Sequence, residues 1–179
     1  MPVVNRIAAF SEEIAEWRRD LHAHPELDYD VHRTAGFVAE KLKAFGCDEI
    51  VTGIGRTGVV GVIKGKRAGE RVIGLRADMD ALPIHEESGA PHASTIAGKM
   101  HACGHDAHTA MLLGAARLLK RHEAELTGTV KLIFQPGEEK LPGGASMMIR
   151  DGVLSNPTPA SVIGQHVMPQ IPAGKIGFR

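Results

Sequence analysis

Long apolar runs, net charge and cysteine are what this sequence lacks. No apolar stretch approaches the roughly 18 residues that a membrane-spanning helix needs. The opening MPVVNRIAAFSEEIAEW has no apolar core of the signal-peptide kind, so a cytoplasmic location is the expectation. Lys plus Arg and Asp plus Glu both number 21, which gives a formal net charge of zero, and no long block of one sign occurs. Nucleic acids and anionic membranes reward a concentrated basic surface, so neither is an expected partner. Cys47 and Cys103 are the only cysteines, too few for a disulfide scaffold, and free thiols in a reducing compartment are expected. There is no internal repeat and no low-complexity tract. A G-x-S-x-G elbow is missing too, which leaves a serine hydrolase without its nucleophile.

What is present describes an ordinary globular chain: 179 residues, 43% apolar and 23% charged, long enough for one domain with a sizeable core. Ser11, followed by Glu12 and Glu13, opens a helix over about 11–23 with Ile14, Trp17 and Leu21 on one face, stopped by Pro25. A second helix is predicted over about 33–45, burying Phe37, Val38, Leu42 and Phe45, with Gly46 as its left-handed C-cap. A third, about 106–120, carries Met111, Leu112, Ala115, Leu118 and Leu119 on one side. Strand-like segments are VVGVIK (59–64), RVIGLRA (71–77), TVKLIFQ (129–135) and SVIGQHV (161–167). The turn-like link between the first two suggests a hairpin. The rest read as strands buried on both faces, so the class is α/β with a mixed, largely parallel sheet.

In open α/β sheets ligands collect beyond the carboxyl ends of the strands. Three of the four segments lead there to chemistry-bearing residues: Asp78 and Asp80 after RVIGLRA, Glu138 and Glu139 after TVKLIFQ, and His166 near the end of the last. The third helix is approached through Cys103-Gly104-His105, where the glycine lets thiol and imidazole face one point. Thiolate, imidazole and carboxylate together suit zinc, manganese, cobalt or nickel better than magnesium or calcium. Bland readings coexist with this one. A lone cysteine is a small buried hydrophobe, adjacent glutamates form a solvated loop, Asp78 and Asp80 cap a loop, and His166 is a satisfied core histidine. His108, one helical turn after His105, fits either a ligand or a helix face. His22, His24, His32, His85, His92 and His122 carry no comparable spacing. Gly53-Ile54-Gly55-Arg56-Thr57-Gly58 matches G-x-G-x-x-G, but strand rather than helix follows, which argues against nucleotide binding.

Five segments, WRRDLHAHPE (17–26), GLRADMDALPI (74–84), MHACGHDAHTAMLLGAA (100–116), LIFQPGEE (132–139) and GQHVMP (164–169), together resemble the bacterial hippurate hydrolases and N-acyl-amino-acid amidohydrolases. These are relatives of the auxin-conjugate hydrolases and metallo-carboxypeptidases. The resemblance implies a three-layer α/β/α catalytic domain of the zinc-dependent exopeptidase type and two divalent metal ions (Zn, Mn, Co or Ni). It implies Cys103, His105, Glu139 and His166 as metal ligands, Glu138 as general base, and support from Asp78 and Asp80. It also implies hydrolysis of an N-acyl amino acid to a carboxylic acid and an amino acid.

Family members are about twice this length. The resemblance therefore implies that residues 1–179 are the N-terminal part of the catalytic domain. A lid domain that mediates homo-oligomers, and a further histidine ligand, would lie beyond it. Lys140 stands where relatives often carry glycine. Competing readings are a catalytically incomplete metal-binding fragment and a mononuclear structural metal site.

Overall fold

The computed structural model describes residues 7–172 and 174–178; the first six residues of the opening MPVVNRIAAFSEEIAEW, expected to carry no signal-peptide core, lie outside them. The elements in chain order are α1 (Ser11–Ala23), α2 (His32–Phe45), β1 (Glu49–Ile54), β2 (Gly58–Lys64) and β3 (Arg67–Asp78). They are followed by α3 (His105–Arg121), β4 (Thr127–Gln135), α4 (Gly144–Arg150) and β5 (Ser161–Gly164). All three predicted helices are present. Ser11 is not the N-cap of α1, however: Phe10 occupies that position, and the Ser11 hydroxyl turns back to donate to the carbonyl of Ala8. Gly46 closes α2 in the left-handed conformation, φ 80°, as the sequence predicts.

The sheet runs β1-β2-β4-β3-β5 and is mixed. β2 pairs antiparallel with both β1 and β4, whereas β3 pairs parallel with β4 and β5. The expected hairpin between β2 and β3 does not form, because β4 lies between them. Their link crosses the start of β4: the N–H of Gly65 donates to Gly128 and that of Lys66 to Glu123. β4 returns parallel to β3 through α3, the crossover that a parallel pair requires. β1 and α4 were absent from the sequence expectation.

Alternation along the strands explains the layers. Val59 and Ile63 of β2 and Val130, Leu132 and Phe134 of β4 meet Trp17, Val38, Leu42, Leu113 and Ala116 of the three long helices. Val60 and Ile133 face the other way, toward Met148 of α4 and Val153. The buried side of α3 centres on Leu112, Leu113 and Ala116, with Met111 and Ala115 only half-buried. Lys131 is buried on the α4 side of β4, where its ammonium donates to the carbonyls of Val153, Ser155 and Pro157 and anchors the segment leading into β5. All four residues of β5 are exposed. Among the described residues no helix is long and apolar enough to cross a membrane.

Candidate metal centre

Parallel pairing brings the carboxyl ends of β3, β4 and β5 to one edge, with Asp78 opposite Gln135 in the β3–β4 register. Asp80, Glu138, Glu139 and His166 follow those ends. His166 lies two residues beyond β5, which stops at Gly164 rather than continuing to 167. The amino end of α3 points at the same edge. Its N-cap, Gly104, has φ 86°, and a Cβ there would lie 2.4 Å from Val167 Cγ2, so this turn needs glycine on both counts. Gly137 plays a matching part in the other loop: at φ 58°, its missing Cβ would meet the Tyr29 ring at 2.3 Å.

The groups gather around Nε2 of His105. From that atom Asp78 Oδ2 is 3.6 Å away, Glu139 Oε1 3.8 Å and Glu138 Oε2 4.0 Å. Cys103 Sγ lies 3.4 Å from His166 Nε2. Cys103, His105 and His166 have donor atoms within 4.8 Å of one another, as do His105, Glu138 and Glu139. Every residue singled out from the sequence is therefore at one place.

The hydrogen bonds decide which atoms remain free. Nδ1 of His105 donates to the Asp80 carbonyl at 2.8 Å, which leaves the buried Nε2 with its lone pair and no hydrogen-bond partner. Nδ1 of His166 donates to the carbonyl of Val167 at 2.7 Å, again reserving Nε2. This fixing of tautomer by the far nitrogen is what a metal-binding imidazole requires. His108 differs. Its Nδ1 donates to Asp78 Oδ1 at 2.6 Å and its Nε2 accepts the Val167 N–H at 2.9 Å, so both nitrogens are used and it holds the two neighbours in place. Asp80 joins the halves of the site: its carbonyl orients His105, and its Oδ2 accepts the N–H of Glu139 at 3.0 Å.

The charges around the cluster favour a cation. Burial, then the Glu139 hydrogen bond and the charges of Glu139, Asp78 and Glu138, push the Cys103 thiol up to about 12. Burial opposes protonation of His105, but Asp80 and Asp78 outweigh it and raise its pKa. Burial would raise Asp78; the His108 hydrogen bond and the nearby His105 and Arg76 charges prevail and lower it to about 2. Asp78 Oδ2 lies 2.7 Å from Arg76 Nη1, though outside hydrogen-bonding geometry. A thiol, the unpartnered Nε2 of His105, the Nε2 of His166 beside that thiol and several carboxylates fit a divalent transition ion, which would reverse the penalty on the thiolate.

Behind this cluster lies a second, buried polar group that spacing did not reveal. Asp106 Oδ2 accepts from His22 Nδ1 at 2.8 Å and is ion-paired with Arg18, whose Nε lies 2.7 Å away. Arg18 and His22 are four apart on α1 and so share a face, the one sequence signal available. His101 packs near His22, their ring centroids 6.3 Å apart, and burial pushes it down to about 4.

Fold and site together define an α/β domain with the donor set of a divalent-metal centre at its strand ends. Residues 74–179 match the peptidase family M20/M25/M40, and the chain belongs to that family. It is 45% identical over 166 residues to the N-acyl-L-amino acid amidohydrolase of Geobacillus stearothermophilus, covering 93% of this chain and 44% of that protein. It is 43% identical over 171 residues to the N-acetylcysteine deacetylase of Bacillus subtilis strain 168, covering 96% and 44%. The crystal structure of the Bacillus subtilis YXEP protein, described as a dinuclear metal binding peptidase of the M20 family, superposes with a TM-score of 0.88 at 43% identity. That match covers 96% of this chain and 47% of that one. The chain thus spans less than half the length of these relatives.

Proposed function

We propose that this chain is the N-terminal part of the catalytic domain of an amidohydrolase that cleaves N-acyl amino acids. Cys103, His105, Glu139 and His166 would hold divalent ions, with Asp78 and Asp80 supporting them. The observation that carries this reading is the unpartnered Nε2 of buried His105, ringed by carboxylates, beside the Cys103–His166 contact. Ions held there supply Lewis acidity, which lowers the pKa of water and favours negative charge on an amide oxygen. Two ions accord with the dinuclear description of the YXEP protein, and the mixed sulfur, nitrogen and oxygen donors suit Zn, Mn, Co or Ni.

Glu138 is the proton carrier. Its side chain is 43% exposed against 25% for Glu139, so it faces the space where water and substrate arrive. Its carboxylate takes a proton from the attacking water as oxygen bonds to the acyl carbon. It then returns that proton to the nitrogen as the carbon–nitrogen bond breaks, giving a carboxylic acid and a free amino group. Asp80 holds His105 and the Glu139 backbone in register throughout.

In the full-length protein, Glu138→Gln is expected to keep its metal content while turnover of N-acyl amino acids falls by about 10²–10⁴-fold. Unchanged turnover would remove Glu138 from the mechanism. The second reading, a catalytically incomplete metal-binding fragment, is favoured by the 44% coverage of the relatives. Metal bound by residues 1–179 alone, with no turnover, would support it. The neutral charge and free thiols support a cytoplasmic protein without nucleic-acid partners, and homo-oligomers would form through polypeptide beyond this chain.

A further inference from the structure

Between Asp80 and Cys103 the chain makes a loop, residues 82–100, closed at its base by reciprocal backbone hydrogen bonds between Leu82 and Met100, both 3.0 Å. One stem of this loop therefore leads out of Asp80 and the other into Cys103 and His105. The loop has little regular structure of its own, and its fastening is polar. Glu86 Oε1 lies 3.2 Å from His22 Nε2, and Glu86 Oε2 accepts the N–H of Ser94 at 2.6 Å. His92 Nε2 lies 2.8 Å from Arg18 Nη1. Thr95 adds two bonds to the carbonyl of Ala23, through its N–H and its hydroxyl.

His22 and Arg18 then converge on the same oxygen of Asp106, the residue that follows His105 in the first turn of α3. The result is a fork. Asp106 is the stem, His22 and Arg18 are the arms on α1, and Glu86 and His92 are two separate points on the loop. The side chains of Asp106, His22 and Glu86 are 0%, 6% and 3% exposed and that of Arg18 35%, so the Asp106–His22–Glu86 line of the fork is built inside the protein and the Arg18 arm at its margin. Buried ion pairs add little net stability, because desolvation offsets their attraction, but they impose a fixed orientation on the groups they join. Here the groups joined are the helix turn that presents His105 and the loop whose other end presents Asp80.

We propose that Asp106, His22, Arg18 and Glu86 form a positioning network that sets Asp80 against Cys103 and His105. Cation affinity is then governed in part from Glu86, a loop residue that hydrogen-bonds to none of the ligands. The inference rests on the reading of Cys103 and His105 as metal ligands. Its test is cobalt(II) titration of the full-length protein, read at the thiolate-to-cobalt absorption. Glu86→Gln is expected to weaken cobalt binding by about threefold to tenfold, at or below the low end of what loss of a group bonded directly to a ligand costs, and to shift the absorption. In a His22→Gln background the same change is expected to have little further effect, since the arm is already cut. Glu86→Asp, which keeps the charge, serves if the glutamine variant does not fold, and is expected to fall between it and the parent. Glu86→Gln with parental affinity and spectrum, even if its thermal stability is lower, would overturn the positioning role alone. A parent protein that binds cobalt without a thiolate band would instead overturn the metal reading.

Discussion

Glu86 shows how a single loop residue carries a measurable pH dependence. Burial by itself would raise its carboxyl, but hydrogen bonds from Ser88, the Ser94 N–H and His22 outweigh it and hold it at about 2, below the ordinary 4.5. The folded state therefore prefers the carboxylate more than the unfolded chain does. That stability is fully present above pH about 4.5 and is lost as pH falls toward about 2. Urea unfolding between pH 5 and pH 3 is expected to show a steeper loss for the parent than for Glu86→Gln. Parallel profiles would mean that the carboxylate is not held as described. At this scale the sequence spoke clearly about the residues at strand ends. Asp78, Asp80, Glu138, Glu139 and His166 all follow from one rule of α/β sheets, and Cys103-Gly104-His105 from one flexible glycine. The Asp106 fork was not legible, because Arg18 and Asp106 are 88 positions apart: both lie in segments that carry the family resemblance, but nothing in the spacing says that the two segments meet. His108 was left open for a related reason: spacing shows that it shares a helix face with His105, but only hydrogen bonds show that both its nitrogens are taken.

Among the elements, the loop after β4 is the one whose shape the chemistry depends on most. The Tyr29 hydroxyl donates to the Lys140 carbonyl at 2.7 Å and accepts the Gly143 N–H at 3.3 Å, while the ring lies against Gly137. Lys140, the departure from the family pattern, reaches Asp28 at 2.7 Å and so bends toward the segment that carries Tyr29 rather than into the cluster. Gly137→Ala combines a left-handed backbone with a steric clash against a buried ring. A loss of about 2 kcal/mol or more is expected in chemical denaturation. A variant as stable as the parent would show that Tyr29 does not confine this loop. The misread hairpin belongs to this scale as well. Alternation and a short turn-like link are properties of neighbouring segments, whereas the insertion of β4 depends on contacts from residues some sixty positions away. β1 leaves little trace in the sequence because none of its six residues is buried, so no core-facing alternation marks it. α4 is seven residues long, too short for helical periodicity to register.

The whole molecule is organised around one edge of its sheet. Three long helices cover one face, a short helix covers part of the other, and the parallel strands deliver their chemistry to the end where α3 begins. At the outer edge of the sheet, beside this end, β5 exposes Val162 and Ile163, with Val167, Met168, Ile171, Ile176 and Phe178 exposed after it. Adjoining exposed apolar side chains of this kind mark an interaction face. The family was legible from five short segments because those segments are the site and its supports.

The central claim is that Cys103, His105, Glu139 and His166 bind metal. Anomalous diffraction from crystals of the full-length protein loaded with zinc tests it most directly. The account predicts zinc within bonding distance of Cys103 Sγ, Nε2 of His105 and His166, and the Glu139 carboxylate, with His108 still bonded to Asp78 and Val167. Zinc held by His108, or none at this edge, would contradict it.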